Sequence, residues 1–425
     1  MEPSARVPQR RSRKRHLASR ETRRPQRRGT VGSRPEPRSV LPILVATFGL
    51  LFCAGFVHLI FPSQIRLVKH LFYALVLALL LLDLPATLRI ARRDLWIWAL
   101  LGLACTSALW STAPVWVIKR GLVTVQTTAF GLYLASRFSL DEHLRLLKWV
   151  FATMLAVSVL HLAIDPATAF MTYNNEAALR GPFGHKNGMG FFMALTLPVF
   201  LLQTTLRSTG RWAMWLGVTG AVTLLVLSRS LSGAVIGLTV CAVIALVPHA
   251  TRLRRPSLLL MPSILVIMGI IAATAGLADG FLAMLGRNPT LSGRIGIWQA
   301  ALPVVLERPF LGHSIAAFWQ LEIVEQTGVW FSTAHNGFLQ MLIDLGVLGL
   351  GLFLLQMISM LVCALRWQRL QGGRRAVWPV CVCSFFILYN LSEVVLMREN
   401  SIIWVLYVAT SFAVRVPVSR QAATA

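Results

Sequence analysis

Three short stretches of this chain put polar or basic side chains at points where an apolar helix would begin. Residues 180–190 read RGPFGHKNGMG, setting Arg180, His185, Lys186 and Asn187 among glycines directly before the run FFMALTLPVFLL. Arg294 stands two places after Ser292, a residue suited to cap a helix, in LSGRIGIWQAAL. His335 and Asn336 open AHNGFLQMLIDLG. A helix start presents unpaired N–H donors and the positive end of the backbone dipole, so it suits an anion. Gly181, Gly184 and Gly188 allow successive N–H groups to turn toward one point. The guanidinium fork of Arg180 would grip phosphate oxygens in two-point fashion, and Lys186 would add a point charge. A shared anionic substrate accounts for all three stretches, whereas an interfacial anchor with a glycine turn accounts for any one of them alone.

Other polar groups fall near these. Asn336, Gln340 and Asp344 recur every four residues and form a stripe on one helix face. Polar groups at membrane depth are costly, so such a stripe is paired or functional. Asp344 is nine residues from His335 and is turned away from it, which favours a structural hydrogen-bonding role over a proton relay. Lys119 and Arg120 in WVIKRG, Arg229 in SRSLSG, and Glu393, Arg398 and Glu399 in NLSEVVLMREN complete the set. Lys119 and Glu399 read as helix-end anchors, while Arg229 and Glu393 stand evenly between anchor and substrate ligand. His185, His313 and His335 lack metal-ligand spacing to nearby carboxylates, and no phosphate-binding Walker loop or dinucleotide fingerprint is present.

The elements that must position these residues are apolar helices. Of 425 residues, 56% are hydrophobic and 13% charged, the balance of a polytopic membrane protein. Apolar runs at about 41–61, 68–85, 95–111, 116–136, 148–165, 187–206, 212–229, 231–248, 256–277, 336–364, 376–392 and 400–415 predict an all-α protein with about 12 transmembrane helices. The net charge of +25 raises nucleic acid as a partner, but 13 of the 41 basic residues lie in residues 1–40, directly before the first apolar run. That segment reads as a disordered cytoplasmic tail that sets orientation and touches anionic membrane lipid, with no nucleic-acid role. With this tail inside, alternation of twelve spans leaves both termini, including a tail at 416–425, on the cytoplasmic side. Fifteen basic residues then fall in cytoplasmic loops, fifteen in the two tails when Arg415 at the inner end of the last span is counted with them, and eleven outside. Two long loops, about 166–186 and 278–335, lie outside, the second carrying a short helix at the interface or tucked against the bundle. The six cysteines lack CxxC spacing and read as small buried hydrophobes.

Residues 40–415 resemble the O-antigen ligase and polysaccharide polymerase superfamily. The matching pieces are RGPFGHKNGMG, SRSLSG, GRIGIWQAAL with RPFLGHSIAAFW, AHNGFLQMLIDLGVLGLGL and NLSEVVLMRENSIIWVLYVA. Within it, the HKN run and the RPFLG segment are most similar to exopolysaccharide polymerases of the succinoglycan-production type. The resemblance implies a domain over 41–415 with a large periplasmic loop, in the bacterial inner membrane. It further implies glycan transfer from an undecaprenyl diphosphate carrier to a saccharide acceptor, with no nucleotide or metal cofactor. Polymerisation of repeat units and ligation to lipid A core both fit; a transporter of lipid-linked saccharide is the rival class, and a scaffold the third. Other polysaccharide-export components are further candidate partners. By resemblance the family's paired arginines map onto Arg180 and Arg294 and its histidine onto His335, as general base or as a third phosphate ligand. Gly181, Gly184, His185, Lys186, Asn187, Arg229, Asn336 and Glu393 are the expected substrate-binding set. The sequence HSIAAF after RPFLG departs from the glycine and aromatic pattern of relatives, and the basic amino-terminal arm is outside the family pattern.

Overall fold

The computed structural model describes residues 40–173, 176–204, 210–253, 294–320 and 333–415. The basic tail up to residue 39, the apolar run at 256–277, Ser292 and the carboxy-terminal tail from 416 lie outside the described residues.

The chain begins with α1 (Val40–Cys53), which gives way at Gly55, in the left-handed region with φ 89°, to α2 (Phe56–Ile60). The apolar run at 68–85 lies mostly in α3 (Ile65–Leu81), which is followed after a 96° bend by α4 (Leu84–Ala91). Asp83 and Pro85 occupy that corner, and a proline is tolerated there because the first turn of a helix needs no N–H from it. Then come α5 (Leu95–Thr106) and α6 (Pro114–Arg137). Next is α7 (Leu140–Ile164), whose Ser139 and Glu142 form a reciprocal capping box. A four-residue helix, α8 (Pro166–Ala169), leads to strands β1 (Phe170–Tyr173) and β2 (Glu176–Leu179). These pair antiparallel with Phe170 opposite Leu179 and Thr172 opposite Ala177. The remaining helices are α9 (Lys186–Gln203), α10 (Arg211–Leu227), α11 (Leu231–Leu253), α12 (Arg294–Glu307), α13 (Gly337–Gln371), α14 (Trp378–Asn390) and α15 (Ile402–Ala413).

The expectation of about twelve spans is not met. Among the described residues three helices are long and apolar enough to cross a membrane, at Leu140–Ile164, Leu231–Arg252 and Gly337–Gln371, or four if the bent α3–α4 pair is one span. For four of the expected spans the reason is length. A helix rises about 1.5 Å per residue, so the 12 to 17 residues of α1, α5, α10 and α15 fall short of a hydrocarbon core about 30 Å thick. The protein is a mostly α-helical, membrane-associated chain. Its class is not purely α, because the expected loop at 166–186 contains the β1–β2 hairpin; Phe170, Thr172 and Tyr173 are strand-favouring types.

Of the two placements expected for the short helix, the interfacial one is not met: α12 is tucked against α13. Ile297, Ala301, Val304 and Val305 of α12 are buried in a cluster with Phe318, Ala334 and Ile343. The turn after α12 enters the backbone of α13 itself. At Gly346 (φ 63°, ψ −163°) the helix is broken, and Val347 N–H donates to Pro309 O at 2.8 Å, Leu348 N–H to Phe310 O at 3.2 Å. His313 N–H donates to Ile343 O at 2.8 Å, so the break's freed backbone groups are paired by the RPFLGH segment. A Cβ on Gly312 would stand 2.6 Å from the Asp344 carbonyl, which is why the close approach needs glycine there.

The main core runs through α6, α9, α13, α14 and α15, with Phe130, Phe191, Phe353, Phe386, Trp404 and Tyr407 wholly buried. Phe386 stacks on Tyr407 at 3.9 Å between centroids. All six cysteines are free, and Cys53, Cys381 and Cys383 are buried in this core. One buried ion pair crosses it: Arg415 Nη1 lies 2.7 Å from Asp94 Oδ2, the latter side chain fully enclosed. Ser411 Oγ and Gln356 Nε2 also donate to that oxygen, and Tyr407 donates to Gln356 Oε1. The network ties α5, α13 and α15 together.

Candidate functional site

α13 begins where a side chain offers its first amides an acceptor. Asn336 Oδ1 receives the N–H groups of Phe338 at 3.0 Å and Leu339 at 3.1 Å, so Asn336 is a helix cap. The residue before it, His335, is held at φ 48°, a left-handed conformation uncommon for a side-chain-bearing residue. Its Nδ1 lies 3.0 Å from Glu393 Oε2. A carboxylate only accepts, so Nδ1 carries the proton of that bond and Nε2 of the neutral ring keeps its lone pair. Glu393 follows α14, its amide donating to Tyr389 O at 2.8 Å. It lines a cavity of about 370 Å³ into which Thr333 and Gly337, on either side of His335, also open.

Arg120, Arg398 and Glu399 line the same cavity. Arg120 Nη1 and Glu399 Oε1 form an ion pair at 2.7 Å, so Glu399, expected as a helix-end anchor, is the partner of a cavity arginine. Gln340 and Asp344 of the polar stripe reach the wall too, with Gln340 Nε2 donating to Asp344 Oδ1 at 3.0 Å. Gln340 Oε1 accepts from Trp319 Nε1 and from Ala334 N–H, both at 3.0 Å. Gln340 thus fastens the turn after α12 to α13. Trp116 and Trp319 were not singled out from sequence: a tryptophan near a helix end carries the pattern of a membrane-interface anchor.

The residues of RGPFGHKNGMG are placed differently. Arg180 lines a second pocket of about 400 Å³ with His161, Thr168, Gly181 and Gly184. Its Nε donates to Thr168 O at 2.9 Å, and its amide to Ala169 O. Beside it the Thr168 hydroxyl and amide both donate to Asp165, holding that carboxyl below the ordinary carboxylate range. Gly181 sits at φ 51°, the turn that requires glycine, and Gly184 borders open space. His185 is the cap of α9, its Nδ1 accepting from Asn187 N–H at 3.2 Å, and the Lys186 amide donates to Met171 Sδ. Asn187 Oδ1 accepts from Ser230 Oγ at 3.4 Å, which joins this stretch to SRSLSG. There Arg229 is left-handed, at φ 49°. α9 and α11 touch closely at that point: a Cβ on Gly233 would lie 2.7 Å from the Gly190 carbonyl carbon.

The structure therefore brings His335 together with Glu393, and Asn187 together with the Arg229 turn. Arg180 and Glu393 line two different pockets. Arg294 is the first residue of α12, as its position after Ser292 predicts; its side chain lies outside the described residues.

A family profile described as O-antigen ligase matches residues 213–354. Over that third of its length the chain is similar to the O-antigen ligase family. It is related to the exopolysaccharide production protein ExoQ of Rhizobium meliloti, 26% identical over 306 residues, covering 68% of this chain and 69% of that protein. The O-antigen ligase match contains Arg229, Arg294, His335 and the break at Gly346, whereas Arg180 and Glu393 fall on either side of it.

Proposed function

We propose that the protein is a membrane glycosyltransferase that uses an undecaprenyl-diphosphate-linked oligosaccharide as donor and polymerises exopolysaccharide repeat units at the periplasmic face of the bacterial inner membrane. The observation that carries the reading is the His335–Glu393 pair, whose Glu393 lines the cavity of about 370 Å³, in a chain similar to the O-antigen ligase family over residues 213–354. In this reading Nε2 of His335 takes the proton from the attacking acceptor hydroxyl, while Glu393 fixes the ring's tautomer and stabilises the imidazolium that forms. The hydroxyl oxygen bonds to the donor's anomeric carbon, the bond from that carbon to phosphate breaks, and the electron pair leaves with the lipid diphosphate. The leaving group is already activated, so positioning and charge neutralisation suffice, and Arg180 and Arg294 are assigned to the diphosphate. The polymerase form is favoured over ligation by the likeness to an exopolysaccharide production protein.

Residues 41–415 would be the catalytic domain, with the basic segment 1–40 and the tail from 416 on the cytoplasmic side, where the positive charge of the former meets anionic lipid. Deleting the protein and analysing lipid-linked and surface glycans tests the function. Accumulated single repeat units are the expected result. Accumulated long carrier-linked chains would instead make it a ligase, and an unchanged glycan profile would overturn the assignment.

A further inference from the structure

The cavity beside Glu393 has a composition that does not suit a diphosphate. Its cations, Arg120 and Arg398, do not outnumber its carboxyl groups, Asp344, Glu393 and Glu399, and the Arg120 guanidinium is already paired with Glu399. It does suit a neutral polyhydroxylated ring. Trp116 and Trp319 supply indole faces, whose negative π surface attracts the partly positive C–H groups on the face of a pyranose. Carboxylates accept from sugar hydroxyls, and guanidinium and amide groups donate to sugar oxygens. About 370 Å³ lies within the range of small-ligand sites, about 300–1,000 Å³.

An interfacial anchor would explain Trp116, which is 42% exposed near the start of α6. It does not explain Trp319, whose indole N–H is fixed by Gln340 at the cavity wall while Phe318 packs edge-on against its ring at 4.9 Å. Asn400 is likewise built in: Tyr73 donates to its Oδ1 at 2.9 Å, which orients its amide N–H₂ as the free end. Such a set of fixed planar groups is preorganised and loses little side-chain freedom on binding.

We infer that this cavity is a saccharide subsite that seats the acceptor sugar, with Trp116 and Trp319 as ring platforms and Glu399 and Asn400 as hydroxyl partners, so that the reactive hydroxyl reaches His335 beside Glu393. This rests on the glycosyl-transfer reading above. The test uses full-length protein in phospholipid vesicles. The binding probe is the lipid-free oligosaccharide released by mild acid from the host's own lipid-linked donor, followed by saturation transfer to its C–H protons and by titration. Inorganic pyrophosphate, as inhibitor, reports on the donor's anion site.

Trp116→Ala, Trp319→Ala and Glu399→Gln should each weaken oligosaccharide binding and raise the acceptor KM about tenfold, leaving kcat within about twofold and pyrophosphate inhibition unchanged. Trp116→Phe, which keeps an aromatic face, should retain most of the binding. Unchanged oligosaccharide affinity in properly folded Trp116→Ala and Glu399→Gln, or an equal loss of pyrophosphate inhibition, overturns the subsite while leaving the polymerase reading standing. Wild-type protein that binds the oligosaccharide but forms no glycosidic product overturns the polymerase reading and leaves the saccharide site. Wild-type protein that does neither overturns both.

Discussion

His335 and Glu393, 58 positions apart, meet through a 3.0 Å contact between Nδ1 and Oε2. The first residue precedes the cap of α13 and the second follows α14, so the pair forms only when those helices pack. Its chemical effect is to leave Nε2 as the ring's proton acceptor.

Removing the carboxylate should expose that effect. Glu393→Gln keeps the shape of the side chain but no longer favours the Nδ1–H tautomer or stabilises an imidazolium. General-base contributions run to about 10²–10⁴-fold, and the initial rate of polymer formation should fall by about 10²-fold or more. Because the two residues act as a unit, adding Glu393→Gln to His335→Ala should cost little further. A full additional loss in the double variant would show that Glu393 acts independently of the histidine.

The positions of the helices were legible in the sequence to a degree that their lengths were not. The apolar runs beginning at 187, 212 and 231 lie at most one residue from the starts of α9, α10 and α11, because glycine, serine and charged residues punctuate each run. What could not be read were events set by partners distant in sequence. The break at Gly346 is sustained by carbonyls of Pro309 and Phe310, whereas the 96° bend between α3 and α4 falls at Asp83 and Pro85, a local signal at the end of the run 68–85. The same limit applies to the site. His335 and Asn336 stand out as polar groups at a helix start, yet nothing local shows that Glu393 is the histidine's partner or that Glu399 pairs with Arg120. Trp319 is invisible for the same reason, since its role depends on Gln340, 21 residues away.

The break in α13 yields a stability prediction. Gly346 has φ 63° and ψ −163°, a region open essentially to glycine alone, and strain of this kind costs about 1–3 kcal/mol. Gly346→Ala should lower the thermal midpoint of purified protein accordingly, whereas Gly351→Ala, where a Cβ meets nothing within 4 Å, should not. Equal midpoints for the two variants would contradict the broken-helix geometry.

The Asp94–Arg415 network should behave as a buried ion pair. Asp94 is fully enclosed and Arg415 only 10% exposed, so Asp94→Ala leaves a buried cation uncompensated, at a cost of about 3–5 kcal/mol. Combining Asp94→Asn with Arg415→Gln removes both charges and should recover most of that loss. Chemical denaturation of the single and double variants checks it; a double variant no better than Asp94→Ala would mean that the charges are not coupled.

The contact between α9 and α11 is tight at Gly190 and Gly233. Gly233→Ala should overpack it and cost about 1–3 kcal/mol. The change also crowds Ser230, which donates to Asn187, so activity should fall more steeply than in Ser230→Ala, which removes the 3.4 Å hydrogen bond to Asn187 and the acceptor of the Gly233 N–H without overpacking the contact. Rates and midpoints measured side by side separate the two contributions.

In the proposed reaction His335 takes the acceptor's proton. The most direct measurement reconstitutes wild-type protein and correctly inserted His335→Ala in vesicles with radiolabelled lipid-linked donor, and follows polymer length and free lipid diphosphate together. Wild type should release lipid diphosphate in step with chain growth, while the variant should retain bound donor and make neither product at an appreciable rate. Full-length polymer from His335→Ala at the wild-type rate would contradict it.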